Sequence, residues 1–432
     1  MTPPSPTDSP AVSPWRWWVC GLLFLATTLN YMDRVALNQM ALRIQIALDL
    51  NDEEYSRLES GFSLSFALGA IISGVIVDKI SVRWVYPVAV FGWSVAGVLT
   101  GYATGFWSLI ACRIMLGLFE AGNWPCGLRT TRAVLRHEER SFGNALFQSG
   151  TAVGAIITPM LVLFLLHRAD AEAGGPSPDS WKLPFRIIGF LGAGWVALWF
   201  LTVPHRILIP QPESEATAGA ARYRDVFRDR RFWALLGVVV AVNVAWHTYR
   251  AWLPKYLQQK RGFSEEEMTN LTTLFYLLAD VGSWTIGLAT LLLIRKRKWN
   301  GHFTRVLMLG VCASLTLISI LVPFAESGWP LTLAILLFAF ASLGLFPTYY
   351  ALTQEVSAKH QGKVSGTLGA CAHLFLSLVV YPIQGRVVKQ TGSYDEMLAV
   401  AGMFPLLAVG LILWLWPPWG ERSASKTPRR GY

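Results

Sequence analysis

Apolar runs of about 20 residues recur along nearly the whole of this chain, and they leave few choices of fold. At 1.5 Å per residue each run is long enough to cross a hydrocarbon core about 30 Å thick as a helix. In lipid a helix also satisfies its own backbone groups. The runs fall near 15–40, 55–77, 84–103, 106–133, 142–166 and 185–203, then near 232–257, 268–294, 303–324, 329–353, 364–388 and 397–416. They predict an all-α membrane protein of about twelve transmembrane helices in two six-helix bundles, 15–204 and 232–417. The intervening 205–231, rich in Arg, Pro, Glu and Ala, reads as a linker, and 1–14 and 418–432 read as tails. Of 432 residues 53% are hydrophobic and 15% charged, which leaves no room for a large soluble catalytic domain.

The formal charge of +10 sits in short loops between the runs, a pattern of membrane orientation rather than nucleic-acid binding. Lys79, Arg83, Arg132, Arg136, Arg140, the linker arginines, Arg295 to Lys298, Lys359 and Lys363 fall on one side. That side is expected to be cytoplasmic, with both termini, in an inner membrane. Asp49 to Glu54, Asp170 to Asp179 and Glu265 to Glu267 fall on the other. Trp84, Trp181, Trp329 and Trp416 lie near run ends, where indoles suit the interface. The apolar stretch after Pro14 is too long for a signal peptide and is expected to remain as the first span. The five cysteines are scattered without CxxC spacing, so neither a metal nor a disulfide framework is expected.

After the second run the chain reads Gly74-Val-Ile-Val-Asp78-Lys79-Ile-Ser-Val-Arg83, which resembles the G-x-x-x-D-[RK]-x-x-x-[RK] signature of the major facilitator superfamily. Gly74 would allow close helix approach, and Asp78, Lys79 and Arg83 would form a gating charge cluster at a helix end. The plain alternative is a solvated turn with orientation charges. The matching loop of the second half keeps Gly287 but has Leu291 where the acid would stand. Gly150-xxx-Gly154 followed by Pro159 reads as close helix packing.

Asn30-Tyr31-Met32-Asp33-Arg34 puts two opposite charges at the end of an apolar run, where they should face a cavity rather than lipid. In the fourth run Arg113, Gly117, Glu120 and Asn123 fall on one helical stripe, Arg113 and Glu120 about two turns apart. Such ionisable stripes suggest function, with a satisfied interhelical ion pair as the structural alternative.

Together with Glu139-Arg140-Ser, Ala251-Trp-Leu-Pro254, Leu278-Ala-Asp280-Val-Gly282 and Val364-Ser-Gly366, these segments make the chain similar to the anion:cation symporter family. That family includes bacterial hexuronate and galactonate carriers and animal sialic-acid and glutamate carriers. By position, the resemblance implies that Asp33 and Glu120 bind protons, that Arg34 and Tyr31 hold the substrate carboxylate, and that Arg113 couples the two. Each role is physically reasonable. Conformations that move an arginine relative to a buried carboxylate change its proton affinity, and the guanidinium fork matches a carboxylate.

Arg250 departs from the hexuronate-carrier pattern and adds a second candidate cation. If it is unpaired, a substrate with two negative groups becomes plausible. Asp280, in the next span, is either its permanent partner or a further cavity residue. Ser365 stands where the family often has asparagine and is the candidate for hydroxyl contacts, with Thr151 a further cavity candidate. His373 reads as a helix-packing residue, with a proton relay or a ligand as the alternative.

The expected function is proton-coupled symport of a small organic anion, a sugar acid such as a hexuronate or aldonate or a related carboxylate, by alternating access. The partners are the anion, protons and the bilayer; a monomer is expected, with no cofactor and no metal. A drug or lipid exporter would favour an acid-lined apolar cavity without arginines. A membrane enzyme needs a nucleophile and base or a metal motif. The spans contain no Ser-x-x-Lys, H-E-x-x-H or GxGD-type pair. A sensor built on a carrier fold is the remaining alternative.

Overall fold

The computed structural model describes residues 14–135, 140–203, 223–356 and 361–416, so both expected tails and most of the linker lie outside the described residues. The first half comprises α1 (Pro14–Gln39), a short α2 (Ala41–Leu48), α3 (Asp52–Lys79), α4 (Val82–Thr100), α5 (Phe106–Glu120), α6 (Asn123–Val134), α7 (Arg140–Glu172) and α8 (Lys182–Thr202). The second comprises α9 (Arg230–Lys255), α10 (Glu265–Arg297), α11 (Gly301–Leu315), α12 (Trp329–Val356), α13 (Gln361–Phe375), α14 (Tyr381–Thr391), α15 (Asp395–Ala401) and α16 (Phe404–Leu415). Among the described residues ten helical segments are long and apolar enough to cross a membrane. The other two crossings are α1 and the α5–α6 pair, which are less apolar because they carry Asp33, Arg34, Arg113 and Glu120.

Taken as twelve crossings, the packing repeats. In the first half α1 packs on α7, α3 on α5 and α4 on α8; in the second α9 packs on α13, α10 on α12 and α11 on α16. These are the same ordinal pairs in each half. Across the halves α3 meets α13 and α14, α7 meets α10, and α1 meets α9. Gly150 and Gly154 lie against the α1 backbone, where an added Cβ at Gly154 would sit 2.6 Å from the Thr28 carbonyl oxygen. Gly74 does not play that part, since a Cβ there would meet nothing within 4 Å. The close approach of α3 to α5 occurs instead at Gly69 and Gly117, nearer the middle of the span.

The acidic segments begin helices. Asn51 caps α3, accepting from the Glu54 N–H at 3.0 Å while Glu54 accepts from the Asn51 N–H at 2.9 Å. Ser264 and Glu267 form the same reciprocal cap on α10. At this end the halves are joined by charge. Arg43 of α2 bridges Asp170 at 2.9 Å and, through Nη2, Glu265 at 2.6 Å. Lys255 pairs with Asp52, and Lys389 with Glu53 at 2.8 Å. Two of the tryptophans expected as interface anchors do not face outward: Trp181 is fully buried against Phe185, and Trp416 is buried against His302, whereas Trp84 and Trp329 are exposed.

Candidate functional site

Arg34 lies about one and a half turns from the C-terminus of α1, and its Nε donates to Glu120 Oε2 at 2.6 Å. Glu120 closes α5, immediately before the chain breaks at Ala121 and Gly122 into α6. The two ends of this pair differ in access: the Arg34 side chain is 12% exposed and that of Glu120 0%. Aromatic faces hold the guanidinium, with Phe66 4.4 Å, Phe62 5.1 Å and Tyr31 5.7 Å from ring centroid to Cζ. Asp33, the adjacent residue, turns away toward α4, where a Cβ on Gly97 would sit 3.0 Å from its Oδ1. It is buried, and Oδ1 has no hydrogen-bond partner.

Arg113 shares the α5 stripe with Glu120 but its ion pair is with Glu59 of α3, Nη2 to Oε1 at 3.5 Å. Glu59 does not stand out in the sequence, yet it is the centre of the buried network. Its Oε2 accepts from Arg250 Nη2 of α9 at 2.7 Å, and its Oε1 accepts from Asn38 Nδ2 of α1 at 3.0 Å. Arg250 Nη1 donates to Asn38 Oδ1 at 2.8 Å, Nε to His247 Nδ1 at 3.2 Å, and Nη2 reaches the Tyr381 hydroxyl at 3.4 Å. Asn38 also donates to the Tyr55 hydroxyl at 2.8 Å, which in turn donates to the Ala251 carbonyl at 2.9 Å. The Glu59–Arg250 pair therefore joins the two halves.

This corrects the reading of Arg250. Its partner is Glu59 rather than Asp280, because the two side chains meet where α3 packs on the second half. Asp280 is half-buried on α10 beside the indole of Trp284, a residue that is itself exposed on the same helical face. Nor is Arg250 unpaired, so the condition attached to a doubly charged substrate is not met in this state.

The remaining sequence candidates are spread differently. Tyr31 is half-buried beside Arg34, and Thr151 is half-buried with its hydroxyl donating to the Gln148 carbonyl at 2.9 Å. The Ser365 and Asp78 side chains lie outside the described residues. Lys79 is exposed, and Arg83 leans on α8, with Nη2 3.5 Å from the Phe200 carbonyl and Cζ 5.7 Å from the Phe200 ring. His373 is buried with its ring 4.6 Å from Phe66 and 5.3 Å from His247, and its Nδ1 has no partner. A line of ring contacts thus runs from Arg34 through Phe66, His373 and His247 to Arg250. No three His, Cys, Asp or Glu side chains come together as a metal site among the described residues.

A chain that crosses the membrane many times and seals an ionic cluster between two repeated helical halves is built as a membrane transporter, not an enzyme. It belongs to the Major Facilitator Superfamily, whose family profile matches residues 23–380. Among its relatives, the "Probable sulfoacetate transporter SauU" of Cupriavidus necator is 28% identical over 416 residues, covering 92% of each chain. The "Hexuronate transporter" of Escherichia coli K12 is 22% identical over 415 residues, covering 92% of this chain and 93% of that one. The fold is similar to that of a bacterial homologue of the human lysosomal transporter Spinster, with a TM-score of 0.79 at 18% identity over 93% of this chain and 97% of that one.

Proposed function

We propose that this protein is a proton-coupled symporter of a small organic anion, a sugar acid or a related small acid, working by alternating access in an inner membrane. One observation carries the reading: Arg34, which solvent reaches, is held by Glu120, which solvent does not reach. An anion that takes the guanidinium from Glu120 leaves a buried carboxylate without its counter-charge. Such a charge is costly in a low-dielectric interior, and a proton removes the cost. Anion and proton therefore favour each other's binding, which is the condition for symport. Asp33, buried with its Oδ1 unpartnered, is a second proton position. Arg113 keeps a fixed positive charge near both acids. The relatives named as hexuronate and sulfoacetate transporters support the anionic substrate.

The two bundles, 15–204 and 232–417, act as the moving bodies of a monomer, linked through 205–231. The basic end and both termini face the cytoplasm, and the salt bridges at the acidic end close the outward mouth. Gating at the basic end falls to Asp78, Lys79 and Arg83. Tyr31, Thr151 and Ser365 complete the substrate surround, with Asp280 outside the ionic cluster. In proteoliposomes, adding an aldonate or hexuronate outside should acidify the lumen, as read by a trapped pH dye. Uptake of labelled anion with no accompanying proton movement would remove the coupling.

A further inference from the structure

Among the described residues three ion pairs join α3 to the second half, and in each the carboxylate comes from α3 and the cation from the other side. Glu53 meets Lys389 of α14 at 2.8 Å, Asp52 meets Lys255 at the end of α9, and Glu59 meets Arg250 of α9 at 2.7 Å. Asp52 and Glu59 lie about two turns apart on one face of α3. The pairs therefore run in a line from the acidic end to the ionic cluster, from the half-exposed Lys389 to the buried Lys255 and Arg250. The buried cations also have support within their own half. The Lys255 ammonium lies 5.2 Å from the Trp252 ring and 5.7 Å from the Tyr394 ring, against 4.9 Å from Tyr55 of α3. Arg250 has His247 and Tyr381. The line ends beside Arg113, whose Nε and Nη1 are buried without partners. Arg43 is arranged differently: Asp170 of its own half holds it, and its link to the second half is to Glu265 of α10, which packs on α7 rather than on α3.

We propose that Lys389, Lys255 and Arg250 form a cationic track that binds the entering anion, masked by the α3 carboxylates while the acidic end is closed. The proposal rests on the transport reading above and adds to it the route by which the anion reaches the Arg34 site. When the halves part at that end, the acids leave with α3 and the cations stay on α9 and α14. The second-half wall of the seam becomes positive and the facing wall negative. A cleft lined by one sign of charge concentrates ions of the other, most of all where low-dielectric walls limit screening. A carboxylate entering the seam takes in turn the places that Glu53, Asp52 and Glu59 hold in the closed form. Trp252 and Tyr394 keep the Lys255 ammonium in the seam after Asp52 has gone. Lys255 is thus more than half of a latch: it is a binding residue that Asp52 covers.

Lys255→Gln and Asp52→Asn break the same bridge, so together they separate a track from a latch. Uptake of a labelled six-carbon aldonate is measured in intact cells that express the full-length chain and have no aldonate uptake of their own. A latch alone predicts that both variants move KM in the same direction. On the track, Lys255→Gln should raise KM at least fivefold, Asp52→Asn should lower it at least twofold, and Lys255→Arg, which keeps the charge, should stay within twofold of the native value. The native KM should also rise more steeply with ionic strength than that of Lys255→Gln. Should a buried variant fail to fold, Lys389→Gln and Glu53→Gln at the half-exposed pair give the same contrast at smaller size. Shifts of KM in one direction within a pair, or no shift on loss of the lysine, overturn the inference. In those cases uptake by the native chain leaves the transport reading standing. If the native chain takes up neither the aldonate nor a hexuronate, that reading falls and the inference with it.

Discussion

Glu59 shows how much a single buried charge depends on its neighbours. It accepts from Asn38 and Arg250 and pairs with Arg113, and it is itself fully enclosed. Removing one partner of such a group leaves the others uncompensated, which costs about 3–5 kcal/mol. Glu59→Ala should therefore lower the unfolding temperature markedly in detergent, and Glu59→Gln/Arg250→Gln should recover most of the loss. A Glu59→Ala protein as stable as the native one would mean that the network contributes nothing. At Arg34 the expected effect is on binding: Arg34→Lys loses the fork that matches a carboxylate and should weaken substrate affinity about tenfold or more, ~1.4 kcal/mol. Unchanged affinity in a titration would exclude Arg34 as the clamp.

The sequence reveals some of these residues and hides others for a physical reason. Asp33, Arg34, Arg113 and Glu120 stand out because apolar residues surround them. Glu59 follows Asp52, Glu53, Glu54, Ser56 and Arg57, and so reads as part of a hydrophilic helix start. Packing of α3 against α1, α5 and the second half buries it. Asp280 misleads in the opposite way: it interrupts an apolar run, but its helical face carries Trp284 away from Arg250.

At the level of helices, run length located the crossings within a few residues, since the hydrocarbon thickness sets that scale. What run length cannot give is α2, a helix of 8 residues, too short to cross, that places Arg43 between Asp170 and Glu265. It also cannot tell which glycine lies at a crossing. Gly154→Val should disrupt the α1–α7 contact and shift Tyr31, whose Cβ lies 3.0 Å from the position of the new Cβ, at a cost of about 1–3 kcal/mol. Gly74→Ala, in open space, should not lower stability, because alanine favours a helix more than glycine does. Matched thermal denaturation curves test the contrast, and equal destabilisation by both changes would refute it.

For the whole molecule, the same ordinal helix pairs recur in both halves, and the proposed alternating access has these two halves rock about the ionic cluster. On that proposal the salt bridges at the acidic end hold the halves together there. Arg43→Gln removes the links to both Asp170 and Glu265 and should populate a form separated at that end. Spin labels on the two halves there should report a longer-distance fraction that grows with salt. A distance distribution insensitive to the substitution would assign the closure to the apolar contacts instead.

The central claim is that anion and proton cross together through the Arg34–Glu120 and Asp33 site. Its most direct test is accumulation of a labelled six-carbon aldonate in proteoliposomes under an inward proton gradient, comparing the native protein with Asp33→Asn. The native protein should concentrate the anion several-fold, and Asp33→Asn should lose that concentration while still exchanging labelled for unlabelled anion. Full gradient-driven accumulation by Asp33→Asn, or native accumulation that ignores the gradient, would contradict it.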